Sequence, residues 1–399
     1  MSVKPHIAIV CRESGGTGSV SGVARRHATE LSKYFRVSLI SDSLPTTLAE
    51  EINLCSVTPR RFDYLRRFCH VPNYYAFTVA VRKKLVELHR AEPIDFIISH
   101  GHAGAALAAK PVKEAYGIPY GLVTHGDIFD RPQGTYDRRL TAFYKAVTPI
   151  AYKNADVVFA LSPHMAECAR RGGANPDAVR VVPNGIDPGD IGLDEVSPAA
   201  KKVRREKDGL RLLCVSRLSV EKGIDILIRA CSQLKERGVD FTLEIIGSGP
   251  LDQEFRSVTA EMGLDDRIAF LGVVERRKLG GYYRRADIFC IPSVSEALAL
   301  VLLETLISGT PVVGSDCGGI PFLVQHGVNG LLFMPGDSTG LCDAIEELYR
   351  KPSELSRLSA NAVSSVYPRL SWKNIGETMA AVVSDVLASG CKRSSQGCG

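Results

Sequence analysis

No apolar run in the 399-residue chain approaches the ~18 residues that a membrane-spanning helix needs, and the first residues carry no apolar stretch of the secretory kind. A membrane span is therefore not expected, and the expected compartment is the cytoplasm. The 11 cysteines never form a C-x-x-C pair, which argues against a zinc ribbon and a disulfide framework and fits a reducing environment. A dinucleotide fingerprint is missing as well. The loop Gly15-Gly16-Thr17-Gly18 follows the first apolar run, but G-x-G-x-x-G would need glycine where Ser21 stands. Nor does that loop carry a P-loop lysine. Asp42, at the end of the second apolar run, is where a ribose-binding acid would sit, so a nicotinamide-binding first domain stays open as an alternative.

What the chain does have is an ordinary soluble composition. Its 45% hydrophobic and 23% charged residues supply ample core, and 399 residues are enough for two or three domains. The charge is uneven. Residues 1–190 hold 24 Lys and Arg against 18 Asp and Glu, whereas the remainder is nearly balanced at 25 against 26. A basic first half suits an acidic, phosphorylated or membrane-surface partner, but an excess this small does not argue for nucleic acid.

Apolar runs at 7–10, 37–40, 94–99, 120–124, 157–161 and 179–182 alternate with helical patterns. The second half repeats this at 210–215, 241–246, 268–271, 288–291, 311–313 and 330–333. Strand–helix alternation of this length predicts an α/β protein of two doubly wound, Rossmann-like domains facing each other across a cleft. The turn-rich stretch 184–190 and the charge run 201–207 read as the linker between them. The expected division is 1–190 and 191–370. A final helix over 371–389 should cross back onto the first domain, and residues 390–399 should form a flexible tail.

The organising stretch is 292–315. A buried strand ends at Ile291, Ser293 and Ser295 offer N-cap chemistry, and an apolar helix is expected from there to Ile307, stopped by Gly309. Two carboxylates interrupt it, Glu296 and Glu304, spaced to lie roughly 12 Å apart on nearly one face. A helix N-terminus between strands suits a diphosphate, with a carboxylate on either side for a sugar and a ribose. The plainer alternative is a capping box with Glu304 in solvent.

Other candidates stand at strand ends. Arg217 and Lys222 follow the first strand of the second half and suit charge developing on a diphosphate, the plainer alternative being a solvated loop that pairs with Glu221. Gly247 ends the next strand in a Gly-Ser-Gly-Pro turn. In the first half, His100, His102 and His125 close two strands. No carboxylate completes a tight metal-binding spacing with them, so no metal is expected.

Taken in order, these residues resemble the retaining glycosyltransferases of family 4, which have the two-domain GT-B fold. Glu296 and Glu304 match the family's E-x7-E motif, followed by Gly309-Thr310-Pro311-Val312-Val313. Arg217 and Lys222 match its R-x4-K pair, Val182-Pro183-Asn184-Gly185-Ile186-Asp187 its interdomain motif, and His125 its T-x-H motif. The likeness spans roughly residues 5 to 385. It implies transfer of a hexosyl unit from a nucleotide diphosphate sugar, UDP-linked by expectation, to an acceptor hydroxyl. Retention of configuration, no metal and no cofactor are part of that expectation.

By the same likeness Arg217 and Lys222 would neutralise the leaving diphosphate. Glu304 would bind ribose hydroxyls, Glu296 the transferred sugar, and His125 would sit near the reacting carbon. Gly16, Gly247, Ala299 and Leu300 would complete the donor site, and Gly15, Gly16, His100 and His102 would face the acceptor. One departure stands out. The family reads E-G-F-G-L where this chain has Glu296-Ala297-Leu298-Ala299-Leu300, and two added β-carbons restrict the backbone and its approach to a ligand.

The acceptor implied is a carbohydrate, a lipid-linked sugar or a small molecule. Arg60-Arg61-Phe62-Asp63-Tyr64-Leu65-Arg66-Arg67-Phe68 sets Phe62, Leu65 and Phe68 on one face between arginines, which fits either a helix packed on its own domain with its arginines in water or contact with the inner face of the membrane. Two rival functions use the same architecture: a nucleotide-sugar epimerase, and a non-catalytic nucleotide-sugar-binding protein.

Overall fold

Strands buried on both faces of a sheet need apolar side chains on both, and the uniformly apolar runs of this chain fold accordingly. A computed structural model describes residues 4–12, 20–43, 48–59, 71–126, 138–196 and 209–396, with the backbone alone for 102, 103 and 390–396. The chain divides into two compact units, Met1–Asn184 with Trp372–Gly399, and Gly185–Ser371.

The first unit holds β1 (His6–Val10), β2 (Arg36–Ser41), β3 (Ile52–Ser56), β4 (Phe96–His100), β5 (Tyr120–Thr124), β6 (Val157–Ala160) and β7 (Val179–Val181). All pairings are parallel, in the order β3-β2-β1-β4-β5-β6-β7. The second unit holds β8 (Leu210–Val215), β9 (Phe241–Ile246), β10 (Ile268–Gly272), β11 (Ile288–Ile291), β12 (Val312–Ser315) and β13 (Gly330–Phe333). They too are parallel, ordered β10-β9-β8-β11-β12-β13. Each sheet winds outward in one direction and then returns beside its first strand. The strand order thus reverses between β1 and β4, and between β8 and β11. At such a switch point the loops leaving the carboxyl ends of the two strands diverge and leave room for a ligand.

Four expectations need correction. The strand β3 is absent from the sequence reading because it is an edge strand. Asn53 and Ser56 are exposed, and the apolar signal is correspondingly broken. The expected boundary at 190/191 lies instead at 184/185. Residues 185–191 are not a loose linker: the Ile186 N–H donates to the Leu370 carbonyl at 2.9 Å, and Ile186 and Ile191 are fully buried. The final helix, Trp372–Gln396, continues through most of the segment expected as a flexible tail. Lastly, the apolar helix after β11 begins at Leu300, not at 293–295. The charge run 201–207 lies outside the described residues.

The Trp372–Gln396 helix belongs to the first unit, where Trp372 is buried and its ring meets His27 on the helix Val20–Leu31. Among the described residues no helix is long and apolar enough to cross a membrane.

Candidate active site

The second unit assembles most of the candidate residues at its switch point. After β8 the chain passes Ser216 and Arg217 and closes a 3-10 turn, Val220–Lys222. After β11 it runs through 292–299 as a loop. The two segments are stitched together by the Val294 N–H, which donates to the Glu221 carbonyl at 2.9 Å. That junction sets Lys222 Nζ 2.5 Å from Glu296 Oε2, with side chains 22% and 11% exposed. The two groups read separately from the sequence, one for phosphate and one for sugar, form a half-buried ion pair.

The loop carrying Glu296 is not helical because other groups claim its backbone. The Ser293 carbonyl accepts hydrogen bonds from Ser315 Oγ and from Cys317 Sγ, the latter at 3.1 Å. The Glu296 carbonyl accepts from the Gly319 N–H at 2.8 Å. Gly318 stands at φ 55, and a β-carbon there would lie 2.0 Å from that same Glu296 oxygen. Only glycine fits. Glu296 and Glu304 are therefore not two turns apart on one helix, and Ser293 and Ser295 do not cap it.

The helix Leu300–Ile307 starts from Ala299, at φ −75 and ψ 116, with no side-chain cap on its first N–H groups. Among the described residues every positive φ belongs to glycine, so Ala297 and Ala299 sit in ordinary backbone. The backbone restriction expected from their β-carbons does not arise.

Glu304 is buried and held from two sides. Arg276 Nε donates to Oε1 and the Tyr283 hydroxyl to Oε2, each at 2.8 Å. Burial, and then the Glu304 charge, push the Tyr283 hydroxyl well above its ordinary range, so it stays a donor. This disposes of the solvated Glu304 of the plainer reading. Arg276 and Tyr283 were not found from the sequence. Arg276-Arg277-Lys278 does follow β10, so the argument from cations at a strand end that singled out Arg217 and Lys222 applies there equally.

Arg217 is exposed and makes no ion pair with any described residue. Gly247, at φ 134, brings its backbone against the Ser216 carbonyl, which a β-carbon would approach to 1.9 Å. Its N–H already donates to the Gly272 carbonyl at 2.8 Å, so its part is to shape the turn beside Arg217.

In the first unit His100 and His125 come together, Nδ1 to Nε2, at 2.9 Å. His100 is buried with its ring against His125 and His27. His102 opens a π-helical turn, His102–Ala106, and its side chain is not described. Gly15 and Gly16, and the arginine-rich segment 60–68, lie outside the described residues. Asp42 faces Arg12, 3.8 Å away. Among the described residues no three His, Cys, Asp or Glu side chains gather as metal ligands would.

Over residues 197–364 the chain matches the family model described as glycosyl transferases group 1, and over residues 20–190 that described as glycosyltransferase family 4. It is 30% identical over 264 residues to a glycosyltransferase of Methanocaldococcus jannaschii, covering 65% of this chain and 67% of the relative. Among solved structures, sucrose-phosphate synthase of Thermosynechococcus elongatus superimposes with a TM-score of 0.80 at 20% identity, covering 97% of this chain and 100% of that one. The Anabaena protein HepE in complex with UDP-glucose does so with a TM-score of 0.74 at 20% identity, covering 95% and 99%. At such identity these two speak for the fold alone. Two Rossmann-like domains of this kind define the GT-B class of transferases. The chain belongs to the group 1, family 4 glycosyltransferases.

Proposed function

We propose that the enzyme moves a hexosyl unit from a UDP-linked sugar to an acceptor hydroxyl, retaining the anomeric configuration and using no metal ion. The observation that carries this reading is the Lys222–Glu296 pair at the β8/β11 switch point, with Arg217 just past the end of β8 and the Leu300–Ile307 helix, without a side-chain cap, following the Glu296 loop. As the bond from sugar to diphosphate breaks, negative charge grows on the leaving group. Two cations and a helix N-terminus answer that charge without a metal. Lys222 would exchange Glu296 for phosphate oxygens, which frees the Glu296 carboxylate for the hydroxyls of the transferred sugar. Glu304, fixed by Arg276 and Tyr283, keeps spare lone pairs for ribose hydroxyls. His125 would sit by the reacting carbon. UDP is preferred as the nucleotide because HepE, of the same fold, is solved with UDP-glucose.

The acceptor is read as a carbohydrate, lipid-linked or small-molecule hydroxyl compound, reached in the cytoplasm at the inner face of the membrane. Incubating the enzyme with a panel of UDP-, GDP- and ADP-sugars and cell-extract acceptors, with and without EDTA, tests the whole reading. An anomerically retained product that forms from a UDP-sugar in EDTA is expected. An inverted product, or transfer abolished by EDTA and restored by a divalent ion, overturns the corresponding part. A donor whose sugar is altered without any acceptor marks an epimerase instead.

A further inference from the structure

Three histidines from three elements meet in the first unit: His27 on the helix Val20–Leu31, His100 at the end of β4, and His125 just past β5. The His100 and His125 rings are inclined by only 25°. The 5.1 Å between their centres exceeds the 2.9 Å N···N distance by about one ring radius at each end. The two nitrogens therefore lie on the line joining the rings, the geometry of an in-plane N–H aimed at a lone pair. Such a bond holds one proton, and it belongs to His100 or to His125.

The surroundings of His100 decide which. Its other nitrogen, Nε2, is buried and has no hydrogen-bond partner. The neighbouring ring is His27, 5.2 Å away, and neither of its nitrogens has a partner either. Trp372 lies edge-on to His27 at 5.8 Å. A buried N–H without an acceptor is rarer than a buried lone pair without a donor. The single proton of a neutral His100 is thus best placed on Nδ1, where an acceptor waits. Burial holds both His100 and His27 far below the ordinary histidine range, so both are neutral near pH 7. The titratable groups acting on His100 are His125 and His27, and no described carboxylate or ammonium joins them.

We infer that His100 is a positioning residue: its Nδ1–H fixes His125 as the neutral tautomer protonated on Nδ1 and occupies the Nε2 lone pair, so that His125 does not serve the reaction as a general base. With Nε2 already accepting, His125 has no vacant lone pair on which to collect a proton from an acceptor hydroxyl. The inference rests on the reading of His125 as a residue of the transfer site.

The test begins with the full-length enzyme, labelled with 15N-histidine and free of substrate. Two-dimensional 15N–1H spectra between pH 6 and 8 should show His100 with a protonated Nδ1 and a bare Nε2, and His125 with the proton on Nδ1. Protonation of His100 on Nε2, or of His125 on Nε2, overturns the inference. A kinetic arm follows. His100→Phe should lower kcat ~10-fold, as expected for one lost orienting hydrogen bond, and should change the pH profile by baring the Nε2 lone pair of His125. His100→Asn, whose amide nitrogen overlays Nδ1, should restore most of the rate. Equal losses in the two folded variants, with an unchanged pH profile, overturn the positioning role. If His100→Phe does not fold, the spectra of the unsubstituted enzyme still decide. The tautomer is read without substrate, so its failure leaves the transferase reading intact, whereas absence of turnover with every nucleotide sugar does the reverse.

Discussion

Lys222 and Glu296 neutralise one another at 2.5 Å, so the cation proposed for the diphosphate is already occupied before any donor arrives. An incoming phosphate must displace a charge-assisted hydrogen bond in a largely shielded place. Glu296→Gln removes that competitor while keeping the shape. Affinity for free UDP, measured by calorimetry, should rise about threefold to tenfold, while kcat falls because the sugar loses its carboxylate. Lys222→Ala should instead weaken UDP, and it too should cut kcat, by ~10²–10³. If Glu296→Gln weakens UDP instead, the pair is part of the nucleotide site and not its competitor.

Glu304 has its two donors in place already, so on the ribose role proposed for it its contribution is one of uniform binding. Tyr283→Phe and Glu304→Gln should each raise the donor KM about fivefold or more and leave kcat within about twofold. Arg276→Met leaves a buried carboxylate with one partner and should lower stability by about 2–4 kcal/mol. Adding Glu304→Gln to it should recover much of that loss. Denaturant unfolding of the single and double variants reads the coupling, and simple additivity would show that the pair is not energetically linked.

Much of this was legible in the sequence, for a physical reason. Strands such as β1, β4 and β11 are buried on both faces and stand out as unbroken apolar runs, and the strand ends fix where Arg217, Lys222 and the histidines must fall. What failed was whatever depends on contacts across the fold. Ser293-Val294-Ser295-Glu296 looks like a helix cap, yet Glu221, Ser315 and Cys317 capture that backbone first. Arg276 and Tyr283 reach Glu304 over 28 and 21 residues, a pairing no local pattern announces. His27 lies inside a helix with no motif around it, and its meeting with His100 and Trp372 depends on the packing of the last helix.

Gly318 gives a sharper handle on the Glu296 loop than substitution of Glu296 or Lys222 does. Alanine there meets the Glu296 carbonyl oxygen at 2.0 Å and must adopt φ 55, so the loop has to move. Gly318→Ala should cost only about 1–3 kcal/mol of stability, yet reduce kcat by ~10²-fold or more, since a displacement of about an ångström spoils the site. Gly281 has nothing within 4 Å of its would-be β-carbon and serves as the control. Comparable activity in Gly318→Ala and Gly281→Ala would show that the loop tolerates the shift and that Glu296 need not be held so closely.

His27 makes the first unit sensitive to acid. Its ring is fully buried with neither nitrogen hydrogen-bonded, and burial lowers its pKa from 6.5 to about 4. Between those two values the unfolded chain binds the proton and the folded chain does not, so stability falls as the pH drops. The contribution is intact above pH 6.5 and lost progressively down to about pH 4, where it amounts to on the order of 3 kcal/mol. His100, depressed by the same burial, acts in the same direction. His27→Phe keeps a ring against Trp372 and removes the titration. Denaturant midpoints taken from pH 7.5 to pH 4 should therefore fall less steeply in His27→Phe than in the unsubstituted enzyme. The carboxylates common to both proteins cancel in that comparison. Parallel curves would mean that the folded chain protonates His27 as readily as the unfolded one, and that the ring is not sealed off as its burial indicates.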